Sequence, residues 1–434
     1  MDKKNFWTSE TQMYYDRDEV VSAKNNIIQD INGKEYLDLN SGTWNVILGH
    51  GRKDYVDSIP EQLKTLEYSP NIRFTNKQAN KLAKRLISDL PDNFTRVFFT
   101  SGGAEAVETA LKLARGYFYE KKEGAKRRII SLYESYHGST LGAMSASGDP
   151  WDRIPFDPIL KDTLKIYPQY CYKCRLGLNK TTCKYACLKD FQYQVDFYGS
   201  ENICACILEP IMGVGGVIIP DAHWLKTIVD TCHKNNILVI FDEISCGTGR
   251  TGKFFACQDY GIYPDMILFG KGISNGTQPL AGVIIDDKIY NQFLSPNRSK
   301  QFRHGFTNSG HPVACASGNT TLDIFEKENV LSIVKDKELK FSKILLKELS
   351  TKNYIGEIRI KGLMIAIELK NPVTGADLNI DNLDIILRDK GVIMSQMCQV
   401  ACFMPSVVTT EDELKKGLTV LCETVENYLQ TSRK

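Results

Sequence analysis

Two apolar segments of this 434-residue chain end in groups that can do proton chemistry. "NILVIFDE" (236–243) runs into Asp242 and Glu243, and "MILFG" (266–270) runs into Lys271. A lysine beside a buried strand is costly unless its amine is paired, reaches water or loses its charge. Taken singly, Lys271 reads as a strand-end lysine with its head in solvent, and Asp242 as a solvated or salt-bridged carboxylate. A third stretch, "FFTSGGAEAVETALKLAR" (98–115), reads as a strand, a turn of Ser101, Gly102 and Gly103, and a helix. The free N–H groups and dipole at that helix start favour an anion such as a phosphate.

These features form one site only if the fold brings them to one edge. Candidate strands are 96–100, 127–134, 203–210, 236–243, 266–270 and 280–286. Between the first two, Val107, Ala110, Leu111, Ala114 and Phe118 follow helical spacing. "AHWLKTIVDTCHKN" puts Trp224, Leu225, Ile228, Val229 and Cys232 on one helix face. Apolar strands alternating with helices predict an α/β fold around a largely parallel sheet, whose ligands sit at the carboxyl ends of the strands. Past about residue 325 the pattern becomes a charged amphipathic helix, a strand pair around "GEIRIKGLMIAIELK" and a last helix opened by the capping box Thr410–Glu413. The expected division is a large domain at 61–325 and a smaller α+β domain at 326–434. Residues 1–60, with "QDINGKEYLDLNSG" as a hairpin, should pack on the small domain.

A lysine amine, a buried aspartate and a phosphate cradle at one sheet edge suit pyridoxal phosphate. That cofactor needs a Schiff-base lysine, an acid holding its pyridine nitrogen protonated, and an anion site.

The ordered motifs "NSGTWNVILGHG", "FFTSGGAEAVETALKLAR", "YHGSTLGAMSASG", "EPIMGVGGVIIP", "IFDEISCGTGRTGKFF", "PDMILFGKGISNG", "HGFTNSGHPVACA" and "RIKGLMIAIEL" resemble class III (ω-amino acid type) pyridoxal-phosphate aminotransferases of fold type I. The likeness runs from about residue 20 to 425. It implies a ping-pong transfer of an amino group from an amine or amino-acid donor to a carbonyl acceptor. It also implies that Lys271 is the Schiff-base lysine and proton shuttle, and that Asp242 is the pyridine-nitrogen partner. Ser101, Gly102 and Gly103 match the phosphate turn, Tyr136 the stacking aromatic, and Ile244 the residue on the opposite face. His137, Glu209 and Ser245 complete the cofactor set, while Trp44 and Cys402 take substrate positions. Thr307 matches a threonine that reaches the neighbouring subunit's cofactor, which implies a homodimer with shared sites. The same fold also carries racemases, epimerases, aminomutases and decarboxylases that use the same lysine.

The chain departs from its relatives at several of these positions. Cys402 stands where many relatives place a carboxylate-gripping arginine, and Val214 where they place its glutamate partner. Ser245 stands where glutamine is frequent, and Ile244 where valine is usual. An unusual acceptor without an adjacent carboxylate is one reading; a different grip by Arg73 or Arg303 is the other.

Composition narrows the remaining classes. A net charge of +2 gives no bulk attraction to nucleic acid or acidic membranes, and no apolar run reaches membrane-spanning length. The polar start "MDKKNFWTSETQMYY" lacks a signal-peptide core, and thirteen cysteines suit reduced thiols in a cytoplasm. In "CYKCRLGLNKTTCKYAC", Cys171, Cys174, Cys183 and Cys187 have spacing that suggests a zinc or iron–sulfur site, against the plainer reading of reduced loop thiols.

Overall fold

A computed structural model describes residues 18–149, 153, 156, 163–397 and 399–431. The chain opens with β1 (Val20–Lys24), β2 (Ile27–Asp30) and β3 (Glu35–Asp38), paired antiparallel in turn; β2 and β3 form the expected hairpin.

The next seven strands build the central sheet: β4 (Phe94–Thr100), β5 (Arg128–Leu132), β6 (Thr163–Ile166), β7 (Ile203–Leu208), β8 (Leu238–Asp242), β9 (Met266–Phe269) and β10 (Ala281–Asp286). Their order is β4-β10-β9-β8-β7-β5-β6. Only β10 runs against the others, antiparallel to both β9 and β4. Sequence reasoning finds six of these strands and misses β6, where the short "TLKI" interrupts its apolar residues with Lys165.

The strands are continuously apolar because both faces of the sheet are covered. Ile207, Ile240 and Leu268 share one buried cluster with Val107, Ala110, Leu111, Ala114 and Phe118 of the helix Gly103–Glu120. Leu208, Phe241 and Phe269 share another with Trp224, Leu225, Ile228, Val229 and Cys232 of the helix Ala222–Lys234. Alternate residues of one strand thus enter opposite cores.

After the helices Pro312–Lys327 and Val330–Leu349 come β11 (Ile355–Lys361), β12 (Met364–Leu369), β13 (Val392–Ile393), β14 (Ser395–Met397) and β15 (Val400–Phe403). Four of them form the sheet β11-β12-β15-β14, while β13 pairs in parallel with β3 and so ties residues 392–393 to the N-terminal hairpin. In the last helix, Glu411–Thr431, the Glu413 amide donates to Thr410 Oγ1 (3.2 Å) and the Thr410 amide to Glu413 Oε2 (2.7 Å), a reciprocal capping box. Among the described residues, no helix is long and apolar enough to cross a membrane.

Candidate active site

Because β7, β8 and β9 are adjacent and parallel, the residues that follow them, Glu209, Asp242 and Lys271, come to one sheet edge. That edge opens into a cavity of about 510 Å³. Ser101, Gly102, Gly103, Tyr136, His137, Asp242, Ile244, Ser245 and Lys271 all line it.

The Lys271 amine donates to Ser245 Oγ at 2.6 Å and lies 4.7 Å from the centre of the Trp44 ring. Burial holds its pKa below the ordinary lysine value, while the charges of Glu209 and Asp242 act in the opposite sense. Its backbone has φ of 44°, a conformation that non-glycine residues adopt at a cost and that clusters at functional sites. Asp242 is 3% exposed; its Oδ1 accepts from the Ile244 amide (3.1 Å) and its Oδ2 lies 2.7 Å from His137 Nδ1. Glu209 accepts from the amides of Gly213 (2.8 Å) and Tyr136 (3.3 Å), and burial pushes its carboxyl up to about 7.

The anion end is built from β4 and the helix after it. Glu105 Oε2 takes the Ser101 amide (2.9 Å), while the first-turn amides beyond it have no partner within the helix. Gly103 sits close under Ile244: a Cβ there would stand 3.0 Å from Ile244 Cδ1 and push that side chain aside. At Gly102 a Cβ would meet nothing within 4 Å, so the helix start faces open space. A helix N-terminus at one end, the Asp242 carboxylate and an enclosed amine at the other, and a buried His137 Nε2 without a hydrogen-bond partner make a donor and acceptor set that fits pyridoxal phosphate.

Trp44 comes from a four-residue left-handed turn. Ser41, Gly42, Thr43 and Trp44 have φ of 46°, 52°, 65° and 66°, at about 1–2 kcal/mol for each non-glycine residue. The turn is held by the Gly42 amide on Asp38 Oδ2 (2.8 Å), Ser41 Oγ on the Met404 carbonyl (2.5 Å), Trp44 Nε1 on Asn40 Oδ1 (2.9 Å) and Arg250 Nη2 on the Trp44 carbonyl (3.2 Å). Arg250 is 2% exposed and also donates to the Pro405 carbonyl (2.7 Å); burial lowers its pKa to about 10. Sequence reasoning assigns no role to Arg250 or to this turn. Their only trace is the glycine-punctuated "NSGTW" and "GTGRTG".

Glu209 and Trp44 stand beside the cavity without lining it, and other expected positions lie elsewhere. Cys402 is fully buried in an apolar cluster with Trp44, Val400 and Met404, because both faces of β15 are covered; it does not line the cavity. Thr307 is exposed, and its carbonyl accepts from Tyr68 Oη (3.0 Å) outside the cavity of its own chain. The metal-site expectation is corrected: among the described residues, no three His, Cys, Asp or Glu side chains converge as a ligand group. Cys171, Cys174, Cys183 and Cys187 instead border a separate cavity without forming a coordination set.

A mostly parallel seven-stranded sheet, with a lysine and an aspartate at adjacent strand ends and a helix N-terminus across the cavity, defines the fold type I pyridoxal-phosphate enzymes. Within that class the chain belongs to the class III aminotransferases, whose family model matches residues 10–425. It is 33% identical to the adenosylmethionine-8-amino-7-oxononanoate aminotransferase of Methanocaldococcus jannaschii, covering 95% of this chain and 94% of that protein. It is also 33% identical to an omega-amino acid–pyruvate aminotransferase of Pseudomonas putida, covering 81% and 79%. Among solved structures, the thermostable (S)-enantioselective omega-transaminase of Thermomicrobium roseum superposes with a TM-score of 0.90 at 32% identity, over 96% of each chain. The chain is therefore a pyridoxal-phosphate-dependent aminotransferase.

Proposed function

We propose that this aminotransferase works as a homodimer and passes an amino group from a small amine donor to a carbonyl acceptor that lacks an adjacent carboxylate. When bound, pyridoxal phosphate supplies the carbonyl that takes up the amine and the ring that absorbs the carbanion's electrons. Lys271 moves the proton at the substrate carbon, a task suited to an enclosed amine of lowered pKa. Asp242 would hold the pyridine nitrogen in its protonated form, and Gly102 and Gly103 would hold the phosphate. Tyr136 and Ile244 would flank the ring.

The observation that carries this reading is the meeting of Lys271, Asp242 and the Gly102–Gly103 helix start around one cavity. Substrate choice rests on a second one. Among the described residues lining the cavity, Lys271 is the one lysine or arginine. Arg250 is spent on backbone carbonyls, and Cys402 is in the core. Arg73 and Arg303 are exposed and do not line the cavity of their own chain.

Dimer formation is supported by Ile72 and Phe74, which are 93% and 66% exposed. They lie in a segment joined to Thr307 by Tyr68 and to the Phe306 carbonyl by Asn71 (2.9 Å). Such apolar exposure fits cover by a second copy, which would bring Thr307 to the neighbouring site. The same reading divides the chain into domains at 61–325 and 326–434. It also puts the enzyme in a reducing cytoplasm, where its thirteen cysteines would be kept as thiols.

The test is an absorbance titration with alanine, glutamate, an ω-amino acid and an amine without a carboxylate. Bleaching to the pyridoxamine spectrum with the last of these, together with no saturable turnover of 2-oxoglutarate, is the expected result. Fast saturable 2-oxoglutarate turnover would overturn the acceptor assignment. Persistent colour with solvent deuterium entering the substrate would point to isomerase chemistry instead.

A further inference from the structure

The segment 167–187 closes around its own cavity of about 220 Å³, bordered by Cys171, Cys174, Cys183 and Cys187. Tyr172 and Lys173 form a turn between the first two of these cysteines. The Cα atoms at the ends of such a turn lie within about 7 Å, which overlaps the range a disulfide spans. Both cysteines are part-exposed, so a small oxidant in solvent reaches them.

That turn is also the contact by which the segment grips β11 and β12. Lys173 Nζ lies 3.0 Å from Glu368 Oε2 and 2.9 Å from Asp377 Oδ1. Tyr170, just before the turn, donates to Glu368 Oε1, which Arg359 Nη2 also holds at 2.6 Å. Tyr172 Oη packs so closely on Gly356 that a Cβ there would lie 2.0 Å away. Glu368 has no exposed surface, so its charge depends on these donors. Just past the turn, Arg175 Nη2 pairs with Glu134 Oε1 at 2.5 Å, two residues before Tyr136 of the active site. The dithiol turn therefore sits between the small-domain strands and the loop that carries Tyr136.

We infer that Cys171 and Cys174 are a redox-active pair whose disulfide, formed by a hydroperoxide, resets this turn and loosens its grip on Glu368. The Cys174 sulfur attacks a peroxide oxygen, the O–O bond breaks, and an alcohol (water, for hydrogen peroxide) departs, leaving a sulfenic acid. The Cys171 sulfur then displaces that hydroxyl, an S–S bond forms, and water leaves with the remaining thiol proton. The two sulfurs give up two electrons and the peroxide takes both. Exchanging the roles of the two sulfurs gives the same disulfide and the same electron count.

The test treats the holoenzyme with a small excess of hydrogen peroxide, alkylates the remaining thiols and maps peptides by mass spectrometry, with amide hydrogen exchange over 355–369 in parallel. A Cys171–Cys174 link is expected, with Cys183 and Cys187 still alkylated. Exchange in β11 and β12 should rise by about threefold or more and return on reduction with dithiothreitol. Cys174→Ser should abolish both effects, and Cys183→Ser should leave both in place. The inference is overturned if Cys171 and Cys174 remain alkylated, if the link involves Cys183 or Cys187, or if the link forms and exchange does not change.

Discussion

The imidazole Nδ1 of His137 stands 2.7 Å from Asp242 Oδ2, and both residues are buried. A carboxylate at that distance fixes the ring proton on Nδ1, so Asp242 is oriented by a neighbour from the loop after β5. Replacing His137 with Phe keeps a ring but leaves a buried charge without this partner. The expected loss is about 3–5 kcal/mol of unfolding free energy, with partial recovery in His137→Gln. Urea unfolding of both variants checks this; equal losses would show that the ring's volume matters and its hydrogen bond does not.

Ser245 accepts from the Lys271 amine, and an acceptor at 2.6 Å favours the charged form. Ser245→Ala should lower the Lys271 pKa further, because the charged amine loses its hydrogen-bond acceptor. The rate of pyridoxal phosphate capture by the apo chain, followed against pH, should then rise at lower pH than in the parent. An unmoved profile would remove Ser245 from the tuning of this amine.

Glu243 is fully buried and accepts from the amides of Cys257 (2.8 Å) and Ala256, yet burial pushes its carboxyl up to about 7 from 4.5. An acid whose pKa rises on folding contributes stability in full below its unfolded value and loses it as pH climbs through the folded one. This residue should therefore cost on the order of 3 kcal/mol of stability as pH goes from about 4.5 to about 7. Glu243→Gln should flatten that part of the pH dependence, measured as unfolding free energy in urea. The same slope in parent and variant would show that Glu243 stays ionised.

Ile72→Asp places a charge on a 93% exposed apolar side chain beside the Thr307 segment. Light scattering should report a shift from dimer toward monomer, with pyridoxal phosphate affinity falling by about tenfold or more through loss of the neighbour's threonine. Thr307→Ala should weaken the cofactor without dissociating the dimer. A monomeric parent, or unchanged cofactor affinity in both variants, would count against shared sites.

The chemistry was legible where local sequence and sheet topology agree. Apolar runs that stop at Asp242 and Lys271 can only be strand ends, and adjacent parallel strands put those ends together. Cys402 misled because β15 is buried on both faces, so neighbours in sequence give no sign of which side chains meet the cavity and which meet Trp44. The left-handed turn at Ser41–Trp44 was hidden for a related reason. Its conformation is imposed by Asp38, Arg250 and the Met404 carbonyl, contacts that local propensity does not encode. His137 was visible as a member of the site, but its bond to Asp242 joins residues more than a hundred positions apart.

The antiparallel strand β10 joins β4 to β9, and β13 joins residues 392–393 to the first hairpin. The Ser101–Gly103 turn after β4 therefore cannot meet Lys271 in its final place until residues 281–286 have been made. The hairpin that leads into Trp44 waits longer still, almost for the whole chain. On the ribosome, this enzyme should emerge with its chemistry-bearing segments synthesised well before the strands that bring them together. Such late, long-range closure slows folding and leaves the first strands exposed to wrong partners in the interval.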